Sequence, residues 1–184
     1  MNLFEKYQAG LGYADFLGRH GSPSDRDRWA RVRDQVVLTD GQRRLLASFR
    51  RAMPVLCLAG AWCGDCARQC PIFDVFAGAG PAVQVRYLDR DEHADVQEVL
   101  RINGGNRVPV LVFFSEDGLE VARHGERTLS QYRQLVRDTA PGQEVPPAAD
   151  EPLLAQVTRD WLGEFERVQW LLRLSPRLRQ RHGD

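Results

Sequence analysis

The sequence predicts an α/β fold, a mixed β-sheet flanked by helices, with a helical extension in front and an extra helix behind. Three observations predict it. Short apolar, β-capable runs recur at 54–59, 83–88 and 108–114. Segments with helical spacing of apolar residues separate them. A hairpin signal at 115–118 (SEDG) joins the third run to a fourth, at 119–124. The order from 54 to 139 is β-α-β-α-β-β-α. Two strands joined by a helix imply a parallel crossover, and the hairpin supplies an antiparallel partner.

Residues 1–50 read as helical and polar. Leu3, Phe4, Tyr7, Leu11 and Tyr13 precede an amphipathic segment over 25–36, with Gly21, Ser22 and Pro23 as a turn between. Asp40 is expected to cap a helix in which Leu45, Leu46 and Phe49 share a face. The run 54–59 (PVLCLA) suits a buried strand. A helix is expected over 63–76, stopped by Gly78, Gly80 and Pro81. The alternating run 83–88 follows, then a helix over 91–100 and a polar, glycine-rich loop at 103–106. Pro109 stands near the start of the third strand. A closing helix over 128–138 places Leu129, Tyr132, Leu135 and Val136 on one face. Residues 140–152 read as a linker. The last helix, 153–174, carries a stripe of Leu153, Leu154, Val157, Trp161, Phe165, Val168 and Leu172, suited to docking on the domain. The basic end is expected to fray. The expected organisation is an extension over 1–50, a core over 51–140, and a linker with helix over 141–184.

The 184 residues are 43% hydrophobic and 27% charged, enough apolar material for a core without disulfide staples. Acidic and basic residues balance at zero net charge, so nothing calls for a nucleic-acid or polyanionic partner. No run is long enough to span a bilayer, and the charged N-terminus lacks the apolar stretch of a secretory signal. The cytoplasm is the expected location. Four cysteines there point to catalysis, metal binding or burial rather than structural disulfides.

The chemistry centres on AWCGDC, residues 61–66, placed directly after a buried strand and opening a helix. Two cysteines separated by two residues at a helix start lie close enough to bridge. The free amides of the first turn and the helix dipole favour a thiolate there. Cys63 is expected to attack a substrate disulfide, and Cys66 to resolve the mixed disulfide. Asp65 weakens thiolate stabilisation, and Arg68 is placed to offset it. Cys70, at i+4 from Cys66, reads as a small buried hydrophobe, with a third redox participant as its alternative. Cys57, in the apolar strand, reads as core, with an influence on Cys66 from below as its alternative. Zinc usually takes four ligands, and no histidine stands near the three helix cysteines in sequence, so no metal is expected. No cofactor is expected either.

Together these features resemble the thioredoxin superfamily. The resemblance rests on Trp62-Cys63-Gly64-Asp65-Cys66, Pro71 inside the following helix, Val108-Pro109 before a strand, and Gly118 and Gly125 around the last hairpin, covering about residues 54–139. It implies that Cys63 is the nucleophile and Cys66 the resolving thiol. It also implies that Pro109 is cis, that Val108 and Pro109 line a substrate groove with Trp62, Gly64 and Asp65, and that Pro71 kinks its helix. Asp65 stands where proline is usual, and Cys57 where the family has a buried aspartate. The closer likeness is to a bacterial subgroup with a W-C-x-D-C motif.

The expected function is a thiol-disulfide oxidoreductase that reduces protein disulfides, recharged by a thioredoxin-reductase-like protein or a low-molecular-weight thiol. The alternative is a thioredoxin-like adaptor, non-catalytic or redox-sensing. A peroxidase or a glutathione transferase lacks identifiable partner residues. Sequence leaves the oligomeric state open.

Overall fold

The computed structural model describes residues 1–140, 142–146 and 149–184. Part of the expected linker, Pro141, Pro147 and Ala148, lies outside the described residues.

Among the described residues the sheet has four strands in the order β2-β1-β3-β4. They are β1 (Met53–Ala59), β2 (Val83–Asp89), β3 (Val110–Phe114) and β4 (Glu120–Gly125). β1 pairs parallel with β2 and antiparallel with β3, which pairs antiparallel with β4. Every residue of β1 is buried, as a central strand covered on both faces requires. Proline is rare in a central strand because it cannot donate to the ladder. Pro54 is tolerated because Met53 N–H already points at β2, onto Ala82 O, and the β3 ladder reaches only Val55–Leu58.

Helix α5 (Gly64–Ala79) crosses one face between β1 and β2. On that face Cys57 lies between its register partners Tyr87 and Leu111. Helix α8 (Leu153–Leu174) packs beside α5, where Phe165 meets Phe113, Phe76 and Phe73 with ring centroids 5.1, 5.3 and 6.0 Å away. Trp161 joins them, edge-on to Phe73 at 4.8 Å. The expected stripe is therefore the buried face of α8, except at its first turn, where Leu153 is exposed. On the opposite face Phe114 meets Phe4 and Tyr7 of α1 (Leu3–Ala9). Gly118, in the hairpin, has φ +82, and a methyl there would lie 2.6 Å from the Phe4 ring. Glycine meets both demands.

The N-terminal residues close the sheet's outer edge. Leu11 exchanges both backbone hydrogen bonds with Tyr87, at 2.9 and 2.8 Å, which pairs an otherwise open part of β2. Helix α2 (Tyr13–His20) follows and stacks Phe16 on Tyr87 and on Trp29 of α3 (Pro23–Gln35). The expected turn at 21–23 serves as the start of α3: Ser22 and Asp25 form a capping box, and Pro23 occupies the first turn.

Several local expectations are corrected. Asp40 is not the cap of α4 (Asp40–Ala47); Thr39 is, through a box with Gln42, because its hydroxyl reaches the third amide. The helix expected over 91–100 is only α6 (Ala94–Val99), since Asp89 accepts from the amides of Asp91 and Glu92 and holds that stretch as a turn. In α7 (Leu129–Thr139) the apolar residues Leu129, Tyr132 and Leu135 are exposed, and Ser130 and Gln131 are buried. Polar caps fix that helix: Gln131 takes the Thr128 amide, and Asp160 of α8 takes the Ser130 amide. The C-terminal end forms α9 (Pro176–His182) instead of fraying. Ser175 caps it, Leu178 is buried, and Arg177 and Arg181 pair with Asp117. Arg51, buried under this end, pairs with Glu116 and Asp184.

Candidate active site

The site sits where β1 ends and α5 begins. Cys63 is the N-cap residue of α5, with extended backbone (φ −74, ψ 127) and no side-chain cap of its own. Its thiol, half-buried, faces the unsatisfied first-turn amides. Those of Cys66 and Asp65 act to lower its pKa. Cys66, one turn in, is fully buried, and the Gly60 N–H donates to its Sγ at 3.5 Å. Gly60 must be small: a methyl there would meet the Trp62 ring at 2.9 Å.

The two thiols, one helical turn apart, influence each other and titrate as a pair. Burial raises Cys66, but donors from Cys63, Cys70 and the Gly60 amide outweigh it and draw Cys66 down to about 5. Cys63 is correspondingly raised, first by its hydrogen bond with Cys66 and then by burial, while the two helix amides lower it. The physical content is one thiolate shared over two sulfurs, moved by one proton. Only the Cys63 end of that pair is open to solvent.

Across from Cys63, its S–H donates to the Val108 carbonyl at 3.8 Å. The Val108–Pro109 peptide bond is cis, as the resemblance implied. Val108 is buried, and β3 starts after Pro109, at Val110. Trp62 is 47% exposed beside the cysteines. Its indole N–H donates to Asp91 at 3.2 Å, and the Arg90 guanidinium lies 4.5 Å over its ring. Arg90 also donates to Asn106 O in the loop before Val108. The structure thus brings together Trp62, Cys63, Gly64, Asp65, Cys66, Val108 and Pro109.

Asp65 does not stand with Arg68 alone. Arg68 is mostly exposed and reaches Asp65 at 3.3 Å, whereas Arg127 donates to it at 2.6 Å. Arg127 belongs to a network around the buried Glu126, whose carboxylate accepts from Arg107, Arg127 and Tyr132 at 2.9, 3.0 and 3.1 Å. The Glu126 backbone carbonyl accepts from the buried Gln69 at 2.8 Å, and Gln69 in turn accepts from Trp161 Nε1 at 2.9 Å. A second support comes from α3. Trp29 Nε1 donates to Ala61 O at 2.8 Å, and Arg28 donates to Trp62 O at 2.9 Å. Sequence reasoning missed Arg127, Glu126, Gln69, Arg28 and Trp29. For Trp29 there was a signal, a large aromatic in an otherwise polar segment; for Arg127, 62 residues from Asp65, there was none.

Cys57 and Cys70 are both fully buried behind Cys66, with their sulfurs 3.9 Å apart. Burial raises both thiols. Cys70 follows Cys66 by one helical turn and shares in its titration. Among the described residues, no group of three or more His, Cys, Asp or Glu is placed to hold a metal ion. None of the described helices is long and apolar enough to cross a membrane.

Comparison with known proteins agrees with this geometry. The family model described as "Thioredoxin" matches residues 13–139, more than half of the chain. The chain is similar in structure to a protein of unknown function from Pseudomonas aeruginosa, at 19% identity and a TM-score of 0.70, covering 91% of this chain and 96% of that one. It is also similar to an HIV epitope-scaffold, at 18% identity and a TM-score of 0.62, covering 94% of this chain and 95% of that one. At these identities the likeness concerns the fold. No curated protein matches the sequence.

Proposed function

Because this chain belongs to the thioredoxin family, we propose that Cys63 is its nucleophile, Cys66 its resolving thiol, and protein disulfides its substrates. The fold and the Trp-Cys-x-x-Cys motif make it a thiol-disulfide oxidoreductase working by dithiol exchange. The observation that carries the assignment of roles is the asymmetry of the pair: Cys63 is half-exposed at the helix start, and Cys66 is fully buried one turn in.

The proposed cycle begins with the pair reduced and sharing one thiolate. Cys63 attacks a substrate sulfur, a mixed disulfide forms, and the other substrate sulfur leaves as a thiolate. Cys66 then attacks Cys63 Sγ, releasing the second substrate thiolate and leaving Cys63–Cys66 oxidised. The Val108 carbonyl and the Val108–Pro109 segment offer an extended substrate a backbone acceptor beside Cys63. Trp62, Gly64 and Asp65 form the facing wall of this groove. Arg68, Cys57 and Cys70 are placed to modulate the pair, Arg68 through its contact with Asp65 and the two thiols from behind Cys66. A thioredoxin-reductase-like protein or a small thiol returns the pair to the dithiol, and such a cycle belongs in a reducing compartment, the cytoplasm. We read residues 51–140 as the catalytic core, with 1–50 and 141–184 as additions packed on it.

Insulin reduction by dithiothreitol, followed by turbidity, tests this reading. The protein is expected to accelerate precipitation, and Cys63→Ser to abolish the acceleration. No acceleration by the wild-type protein would favour the adaptor reading.

A further inference from the structure

Behind the active pair lies a second pair of thiols. Cys57 projects from the middle of β1 and Cys70 from the second turn of α5, and both are completely buried. Their sulfurs are 3.9 Å apart. A disulfide needs about 2 Å, so the two sulfurs, already in contact, must draw closer for the bond to form. Cys70 stands one helical turn beyond Cys66 on α5, and Cys66 one turn beyond Cys63 at the helix start, with Cys66 and Cys70 both fully buried. The four cysteines thus form one series, Cys63, Cys66, Cys70, Cys57, running from the half-open surface position into the core, and neighbouring thiols in it influence each other's titration. All four are free thiols in this structure.

We propose that Cys57 and Cys70 form a second, buried redox-active dithiol that takes over the disulfide of the active-site pair through Cys66. This rests on the reading of Cys63–Cys66 as the exchanging pair. After one turnover Cys63–Cys66 is a disulfide. Cys70 loses its proton and attacks Cys66 Sγ; the Cys63–Cys66 bond breaks, the Cys66–Cys70 bond forms, and Cys63 leaves as a thiolate that takes up the proton. Cys57 then loses its proton and attacks Cys70 Sγ. The Cys66–Cys70 bond breaks, the Cys57–Cys70 bond forms, and Cys66 leaves and is protonated. The net change converts one disulfide and two thiols into one disulfide and two thiols, with the oxidising equivalent moved inward. No new oxidant is needed, because the substrate disulfide supplied it. The surface pair is again reduced and accepts a second substrate disulfide, so the protein holds two disulfides before it must be recharged.

Burial sets the character of this second site. Both thiols are raised by desolvation, so each attack is slow compared with attack by the surface pair. Full burial also bars direct access by substrate, so Cys57 and Cys70 oxidise only through Cys66.

The test titrates the fully reduced folded protein with excess hydroxyethyl disulfide. Samples are quenched in acid at intervals, unfolded, alkylated with N-ethylmaleimide and read by intact mass and peptide mapping. Free thiols are expected to fall from four to two and then, more slowly, to none, with Cys57–Cys70 as the second disulfide. In Cys66→Ser, Cys63 is expected to carry an adduct while Cys57 and Cys70 stay free over the same time. Wild-type protein that stops at two free thiols, both mapped to Cys57 and Cys70, overturns the inference and leaves the active-site reading standing. Equal formation of Cys57–Cys70 in Cys66→Ser overturns the route through Cys66. Four thiols still free at the end overturn both readings. The wild-type arm keeps the test decisive if the serine variant fails to fold.

Discussion

Arg127 donates to Asp65 at 2.6 Å, so the acidic residue between the two cysteines is neutralised by a cation from the loop after β4. Asp65 raises Cys66 through its charge, and Arg127 limits that effect. Arg127→Met is expected to raise the apparent pKa of the thiol pair, and Asp65→Asn to lower it, each by about 0.5–1 unit. The rate of iodoacetamide alkylation against pH measures both. Shifts of the same sign would contradict the assigned roles.

The pair itself sets a pH profile. With Cys66 drawn to about 5, the first proton leaves the pair near that pH rather than near the ordinary thiol value of 9.0. A lowered pKa keeps the reactive form present above it and loses it as pH falls. Alkylation of Cys63 is therefore expected to hold its rate from neutral pH down to about 6 and to fall as pH drops through about 5. A rate that declines steadily below pH 9 would contradict the shared thiolate.

The N-terminal extension bears directly on the site. Trp29 is buried, and its N–H is the partner of the Ala61 carbonyl, one residue before Trp62. Trp29→Phe keeps most of the ring but removes the shorter of that carbonyl's two side-chain hydrogen bonds, leaving Arg28 at 3.4 Å. The expected loss is about 0.5–1.5 kcal/mol in urea unfolding. Faster amide exchange is expected over residues 60–63. Unchanged exchange there would mean that α3 does not hold the active-site loop.

Helix α8 is part of the core rather than an appendage. Phe165 is fully buried against Phe73, Phe76 and Phe113, which come from α5 and β3. Phe165→Ala is expected to cost about 3–5 kcal/mol, as removal of a buried aromatic does. A loss below about 1 kcal/mol, typical of surface positions, would show that α8 docks loosely.

The succession of strands and helices along the chain, the Cys63–Cys66 helix start and the Val108–Pro109 segment were legible in sequence because each depends on local pattern: an apolar run, a two-residue cysteine spacing, a proline at a strand start. The face of α8 was legible for the same reason, since Val157, Trp161, Phe165, Val168 and Leu172 recur at helical spacing. The exposed face of α7 was not, because the helix is docked through its polar first turn, where Ser130 meets Asp160 of α8, a partner 30 residues away, and Gln131 closes the cap on Thr128. The C-terminal end was misread for a related reason. Its arginines are held by Asp117 in a hairpin 60 residues away. Arg127, Gln69 and Glu126 were missed because their partners meet only through the tertiary fold.

In the proposed cycle Cys63 attacks and Cys66 resolves. Cys66→Ser removes the resolving thiol, so the folded variant, incubated with hydroxyethyl disulfide, acid-quenched and mapped by peptide mass, reports on both roles at once. A stable mixed disulfide on Cys63, formed faster than on the unfolded variant at the same pH, is the expected result. No adduct on the folded variant, with Cys63 reacting only after unfolding, would contradict the claim.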